Sequence, residues 1–343
     1  MNTILRRWGI PLGILGLMTA ITAIVNDPFS SAEMRKPVID IDGSSTVYPI
    51  TKLMASEFNS SEDKKVQIKV AISGTTGGFK KFCEGKTDIN NASRPILKEE
   101  IAVCQKRGVK YIELPIAFDA LTIVVNPKND WAKDITIAEL KKIWEPTAQG
   151  KITKWNQIRS SWPDKPLNLY GPDKDSGTYD YFMQAMESES KVSRNDYTSN
   201  KDDNMLVKGI SQDPNGLGYF GIAYYQANTT QLKALAVDSG KGSTMPSPQA
   251  MAKNLYQPLS RPLFIYINYE SAQVKPEVKE FVDFYLAKAP KLVNQVGYIP
   301  LSEEAYHLDF VQFNQGEVGT VFNGETQLNL TLTEVLRKRA TLF

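Results

Sequence analysis

Val38-Ile39-Asp40-Ile41-Asp42-Gly43-Ser44-Ser45-Thr46-Val47-Tyr48-Pro49 decides the fold. Val38 to Ile41 is a short strand rich in β-branched residues. Asp42 to Thr46 is a loop of small and hydroxylated residues, and a helical stretch runs from about Pro49 to Phe58. The same succession recurs twice. Val66 to Ile72 leads through Ser73-Gly74-Thr75-Thr76-Gly77-Gly78 into Phe79 to Cys83. Leu167 to Tyr170 leads through Gly171-Pro172-Asp173-Lys174-Asp175-Ser176-Gly177-Thr178 into Tyr179 to Met186. Strand, loop and helix in alternation predict an α/β protein with largely parallel sheets.

Two apolar runs join the parts. Ala120 to Val125 ends at Asn126-Pro127, and Leu263 to Ile267 ends at Asn268. The chain between them is long enough for a second lobe, which opens with a capping box at Thr136-Ile137-Ala138-Glu139. Lys275 to Ala287 is amphipathic, with Val278, Phe281, Val282 and Tyr285 on one face, and Thr331 to Lys338 is expected to form a final helix. The expected organisation is a signal segment over 1–32, a discontinuous first lobe over 33–122 and 264–343, and a second lobe over 123–263.

Composition narrows the function. Forty basic against 38 acidic side chains in 343 residues leave no excess for nucleic acid, and none is expected as a partner. A single histidine, His307, and two cysteines provide little for His-based acid–base chemistry or a Cys/His metal cluster, so neither a metal nor a cofactor is expected. Arg6 and Arg7 precede an uncharged, mostly apolar stretch from Trp8 to Val25. Ser30-Ser31-Ala32 then offers a cleavage site after Ala32, the alternative being an uncleaved anchor. Export to an oxidising compartment makes a Cys83–Cys104 disulfide the expected state of the two thiols.

A loop ending at a helix N-terminus presents free N–H groups to an anion, and Ser/Thr hydroxyls add donors. Any one such loop is most simply a turn with a cap; three of them, from both lobes, suggest a cleft that holds a small oxyanion. No G-x-x-x-x-G-K-[ST] occurs and no G-x-G-x-x-G follows a strand. S-x-x-K at Ser61–Lys64 and Ser188–Lys191 lacks the K-T-G and S-D-N that would give it meaning.

Asp42 to Pro49, Ser73 to Gly78, Asn91-Ala92-Ser93-Arg94-Pro95 and Asp175-Ser176-Gly177-Thr178 together resemble the periplasmic phosphate-binding proteins of the high-affinity phosphate ABC transporter, closely the subgroup of cyanobacteria and pseudomonads. The likeness runs in order through the chain after the signal, including Phe118-Asp119-Ala120-Leu121-Thr122 and Gly216 to Gly221. It implies a type II periplasmic binding-protein fold that closes on one phosphate, working as a monomer with a membrane permease. It also implies ligands at Thr46 and Val47, with Ser45 open because of an extra residue before Pro49; at Thr75, with Thr76 as the alternative; and at Ser176, Gly177 and Thr178. Ser93 belongs to the third motif.

Two positions depart from the family pattern: Arg94 stands where an Asp follows the serine, and Pro172 where an Arg precedes the S-G-T triplet. Arg94 is thus the candidate for the charge-assisted phosphate contact. Asp175 is the first candidate for a proton acceptor, followed by Asp42, Asp202 and Asp203, and Asn204 could donate. The rival readings are a secreted phosphate-ester hydrolase and a surface or adhesion protein that has kept the fold.

Overall fold

A computed structural model describes residues 36–61, 66–186, 192–325, 327–331, 334–335 and 337–338. The signal segment expected over 1–32 and nearly all of both S-x-x-K matches lie outside them. The chain runs through β1 (Val38–Gly43), α1 (Tyr48–Ser61), β2 (Gln67–Val70), α2 (Thr75–Cys83), β3 (Ile89–Ala92), α3 (Lys98–Lys106) and a long β4 (Tyr111–Val125). Next come β5 (Asp134–Thr136), α4 (Ile137–Trp144), β6 (Asn168–Pro172), α5 (Gly177–Ala185), β7 (Thr198–Asn200), α6 (Asp203–Gln212), β8 (Gly216–Gly221) and α7 (Ile222–Gln226). The remainder is β9 (Lys233–Ala234), β10 (Ala236–Asp238), β11 (Ser243–Thr244), α8 (Pro248–Ala252), β12 (Ser260–Asn268), α9 (Tyr269–Val274), α10 (Pro276–Leu292) and α11 (Glu303–Gln315).

All three strand–loop–helix units form, but α2 starts at Thr75 and α5 at Gly177, so the last residues of the second and third stretches read as loops are the first turns of their helices. The capping box forms as well, Glu139 N–H reaching Thr136 Oγ1 at 3.1 Å while Thr136 N–H reaches Glu139 Oε2 at 2.8 Å. Helix α10 buries Val278, Phe281, Val282 and Tyr285. Of the final helix, Thr331 and Glu334 form a reciprocal cap, and Glu334, Val335, Arg337 and Lys338 are helical. Among the described residues no helix is long and apolar enough to cross a membrane.

The sheets are mixed, which corrects the expectation of largely parallel ones. The main sheet runs β2-β1-β3-β12-β4-β8-β6-β7, with β9 on β4, and a small sheet runs β11-β10-β5. Pairs β1/β2, β1/β3, β6/β7 and β6/β8 are parallel, as βαβ units require. Strand β12, however, is antiparallel to both β3 and β4, and β4 is antiparallel to β8. The two apolar runs are thus adjacent long strands crossing the middle of one sheet.

Strand β4 is buried along all fifteen residues, yet Glu113, Pro115 and Asp119 break its apolar run and hide its first half from a hydrophobicity reading. Each interruption is accommodated. Tyr266 Oη donates to Glu113 at 2.6 Å, and the register with β12 shifts between Leu263 and Phe264, opposite Pro115, where a missing N–H is tolerated. Asp119 pairs with Arg261, its register partner on β12.

The disulfide forms as expected, tying the end of α2 at Cys83 to α3 at Cys104 across 21 positions. Both sulfurs are buried. The double variant C83A/C104A is expected to lose about 3 kcal/mol of unfolding free energy, from the loop-closure entropy returned to the unfolded chain. Urea titration of the variant against the oxidised protein measures it.

Candidate functional site

The three Gly/Ser/Thr loops meet at one place. Residues 45–47 make the turn that opens α1, where Tyr48 N–H bonds the Ser44 carbonyl at 3.1 Å. Thr75 begins α2 after Gly74, whose φ of 77° and closeness to the Asp175 carbonyl admit no side chain. Ser176 caps α5, its Oγ accepting from Thr178 N–H at 3.1 Å. Thr46 Oγ1 and Thr178 Oγ1 then lie 2.9 Å apart, and Thr75 Oγ1 lies 3.2 Å from Ser93 Oγ. Gly177 sits between the two pairs, since a Cβ there would come within 2.5 Å of Thr75 Oγ1 and 2.6 Å of Ser93 Oγ. Ser45, Thr46, Val47, Thr75, Ser93, Ser176, Gly177 and Thr178 are all buried. Three helices of nine residues or more direct their N-terminal ends into this group of hydroxyls.

The guanidinium in this group is not Arg94 but Arg261, which the sequence reading missed. Arg261 is fully buried. Its Nη2 donates to Thr178 Oγ1 at 2.8 Å and to Thr46 Oγ1 at 3.4 Å, and its Nη1 to the Gly177 carbonyl at 3.2 Å. Nε and Nη2 hold Asp119 Oδ2 at 3.1 and 2.9 Å. Asp119 Oδ1 accepts from Ile222 N–H, the first amide of α7, at 3.1 Å. Burial raises the Asp119 carboxyl above its ordinary range, with Arg261 pulling the other way. A guanidinium has five N–H bonds, and one on Nη1 has no partner in this arrangement.

Arg94 is equally buried but committed elsewhere. Its Nε donates to Asp180 Oδ2 at 2.7 Å, its Nη1 to Glu100 Oε2 at 2.8 Å and the Pro95 carbonyl at 3.1 Å, and its Nη2 to Glu100 Oε1 and Thr76 Oγ1, both at 2.8 Å. Those are all five donors, so Arg94 has none left for a ligand. Burial disfavours its charge, but Glu100 and then Asp180 outweigh that and raise its pKa. Thr76 faces Arg94 with its hydroxyl and gives its N–H to the Asp175 carbonyl at 2.9 Å, leaving Thr75 as the member of that pair in the cage.

Two further expectations are corrected. The Asp175 side chain is 51 % exposed and paired with Lys201 Nζ at 2.9 Å, because the backbone of the loop, not its carboxylate, turns inward. Asn204 is exposed, donating through Nδ2 to the α6 cap Asp202 at 2.9 Å, and lines a separate surface cavity of about 670 Å³. Asp42 is buried against Lys81 and Ser73. Asp203 is completely buried and accepts from Ser45 Oγ at 3.1 Å. The signal for Asp119 was a charge set in an apolar strand, which rarely goes unpaired when buried, whereas Arg261 stands two residues before its apolar run and carried no such mark.

A family model described as a PBP superfamily domain matches residues 30–289. The chain belongs to the PBP superfamily. Protein SphX of Synechocystis sp. is 55% identical over 303 residues, covering 88% of this chain and 90% of its own. The phosphate-binding protein PstS of Staphylococcus saprophyticus is 36% identical over 267 residues, 77% of this chain and 81% of its own. The crystal structure of a possible phosphate-binding protein from Planctomyces limnophilus is 42% identical, with a TM-score of 0.60 over 82% of this chain and 99% of that one. The architecture is accordingly that of the type II periplasmic binding proteins within this superfamily.

Proposed function

We infer that this protein captures inorganic phosphate and delivers it to the permease of an ABC transporter, as the substrate-binding component. The observation that carries the reading is the convergence of Thr46, Thr75, Ser93, Thr178 and the Arg261 guanidinium at three helix N-termini. A tetrahedral oxyanion needs many directed donors and little net charge, and this group supplies both, since Asp119 cancels Arg261. Relatives that are phosphate-binding proteins support it.

Residues 33–122 with 264–343 form one lobe and 123–263 the other, β4 and β12 being the strands that join them. Phosphate then sits between the 45–47, 75 and 93 side and the 176–178 side, with Arg261 at the joint. Export to the periplasm follows from the sequence of 1–32, and a monomer suffices because one chain supplies every donor. The protein acts by binding rather than turnover: its single histidine, His307, is exposed on α11, so the cage hydroxyls have no imidazole to activate them.

Calorimetric titration of the protein, stripped of ligand by unfolding and refolding, tests the reading with phosphate, arsenate, sulfate and molybdate. One tight phosphate site is expected. No binding of any oxyanion would overturn it in favour of an adhesion or scaffold role, and turnover of a chromogenic phosphate ester in favour of a hydrolase. Gly177→Ala is expected to fold and to bind phosphate at least about 100-fold more weakly, as its Cβ would displace the Thr75 and Ser93 hydroxyls and two or more charge-assisted bonds would go. The same titration reads it.

A further inference from the structure

We propose that Asp180 latches the closed cleft: it holds the second lobe against the Arg94 side of the first without touching the ligand, and so sets how fast phosphate leaves rather than which anion enters. The inference rests on the phosphate reading and the division into lobes given above. Asp180 lies in the first turn of α5, where its N–H bonds the carbonyl of the cap Ser176 at 3.1 Å. It therefore stands one turn beyond the cage. Its Oδ2 accepts from Arg94 Nε at 2.7 Å, and Arg94, which follows β3, belongs to the other lobe. A second bond runs beside the first, from Thr76 N–H at the start of α2 to the Asp175 carbonyl at 2.9 Å. Thr76 links the two contacts, since its Oγ1 accepts from Arg94 Nη2 at 2.8 Å.

The Arg94 side of this joint is anchored within its own lobe. Glu100 accepts from both Nη atoms at 2.8 Å, and its Oε2 also accepts from Leu97 N–H at 2.8 Å, while the Pro95 carbonyl takes a further N–H of Nη1 at 3.1 Å. The N–H on Nε alone is left to reach across. Opposite it the loops touch backbone to backbone, because a Cβ at Gly74 would come within 2.5 Å of the Asp175 carbonyl oxygen. The Arg94 side chain is 1 % exposed and that of Asp180 30 %, so the outer member of the pair already borders solvent.

When the lobes part, Asp180 and Thr76 N–H pass to water while Arg94 keeps Glu100. The cross-cleft bonds thus exist in the closed form only. A contact of that kind slows opening and leaves the encounter of an anion with the open cleft untouched. Thr46, Thr178 and Arg261 are placed to act on the anion itself and so on the choice among anions. A latch outside the cage favours every anion on which the cleft closes by the same factor.

The test begins with the purified, ligand-stripped protein loaded with radiolabelled phosphate and chased with unlabelled phosphate, which reads the release rate. Calorimetric titration reads the affinities for phosphate and arsenate. Asp180→Ala strands the buried Arg94 Nε in the closed form and is expected to speed release about tenfold, the effect of one charge-assisted hydrogen bond. Association is expected to stay within about threefold of the unaltered rate, and phosphate and arsenate are expected to weaken equally. An unchanged release rate, a change confined to association, or unequal losses for the two anions would overturn the proposal. Hydrogen exchange of the Thr76 amide, resolved by NMR in the unaltered protein, supplies a second measurement. That N–H has no partner within its own helix, so phosphate is expected to slow its exchange at least about tenfold by closing it onto Asp175. Equal exchange with and without phosphate would overturn the latch even if Asp180→Ala does not fold. Failure of the unaltered protein to bind phosphate would instead overturn the phosphate reading, and the latch with it.

Discussion

Arg261→Lys is expected to fold and to bind phosphate at least about 100-fold more weakly than the unaltered protein, equivalent to losing two charge-assisted hydrogen bonds at roughly 1.5 kcal/mol each. A lysine at this position keeps a cation beside the fully buried Asp119, so the strand pair β4/β12 retains its internal charge balance. It cannot keep the fork. One ammonium has no means of reaching Asp119 Oδ2, Thr178 Oγ1 and the Gly177 carbonyl together, which Arg261 does through three nitrogens. The unpartnered Nη1 N–H, the donor available to a ligand, also disappears.

Arg261→Ala would confound binding with folding, because removing one partner of a buried ion pair costs about 3–5 kcal/mol and leaves Asp119 uncompensated. The lysine variant avoids that, and a thermal melt alongside the titration confirms it. Affinity within threefold of the unaltered protein would take Arg261 away from the ligand and leave it as a strut between the two strands.

The legible part of this site is the part with local chemistry. Ser45-Thr46-Val47, Thr75 and Ser176-Gly177-Thr178 could be read because a helix start leaves a mark within a few residues: small side chains, hydroxyls and a cap. Arg261 could not be found that way. Its meaning lies in a partner 142 positions away across a strand ladder, and the apolar run that betrays β12 begins only at Leu263, two residues beyond it. Asp119 was inside a recognised stretch, yet its charge gained significance only from the register that sets it opposite Arg261. The converse error, Arg94, has the same origin. A guanidinium next to a cage serine looks like a ligand until Glu100, six residues on, and Asp180, on a different helix, are seen to occupy it. Strand direction was obscured likewise, since parallel βαβ units announce themselves in sequence and two antiparallel crossing strands do not.

Arg94→Ala is therefore expected to be a stability variant first, lowering unfolding free energy by about 3–5 kcal/mol, since it strands Glu100 and Asp180 without their buried cation. Urea titration measures this, and phosphate titration of the same preparation is expected to show a smaller loss of affinity than Arg261→Lys. The reverse ranking, with stability kept and binding abolished, would return Arg94 to the ligand. Acid does not remove the pair in the usual way. Burial raises the Asp180 carboxyl above its ordinary value, and Arg94 only partly opposes this. The folded state therefore binds the Asp180 proton more tightly than the unfolded chain does, so its contribution makes stability fall as pH rises from the ordinary aspartate value to the raised one. Asp180→Asn should flatten the stability profile across that window while leaving Arg94 paired with Glu100. A profile unchanged by Asp180→Asn would mean that Glu100 alone balances Arg94.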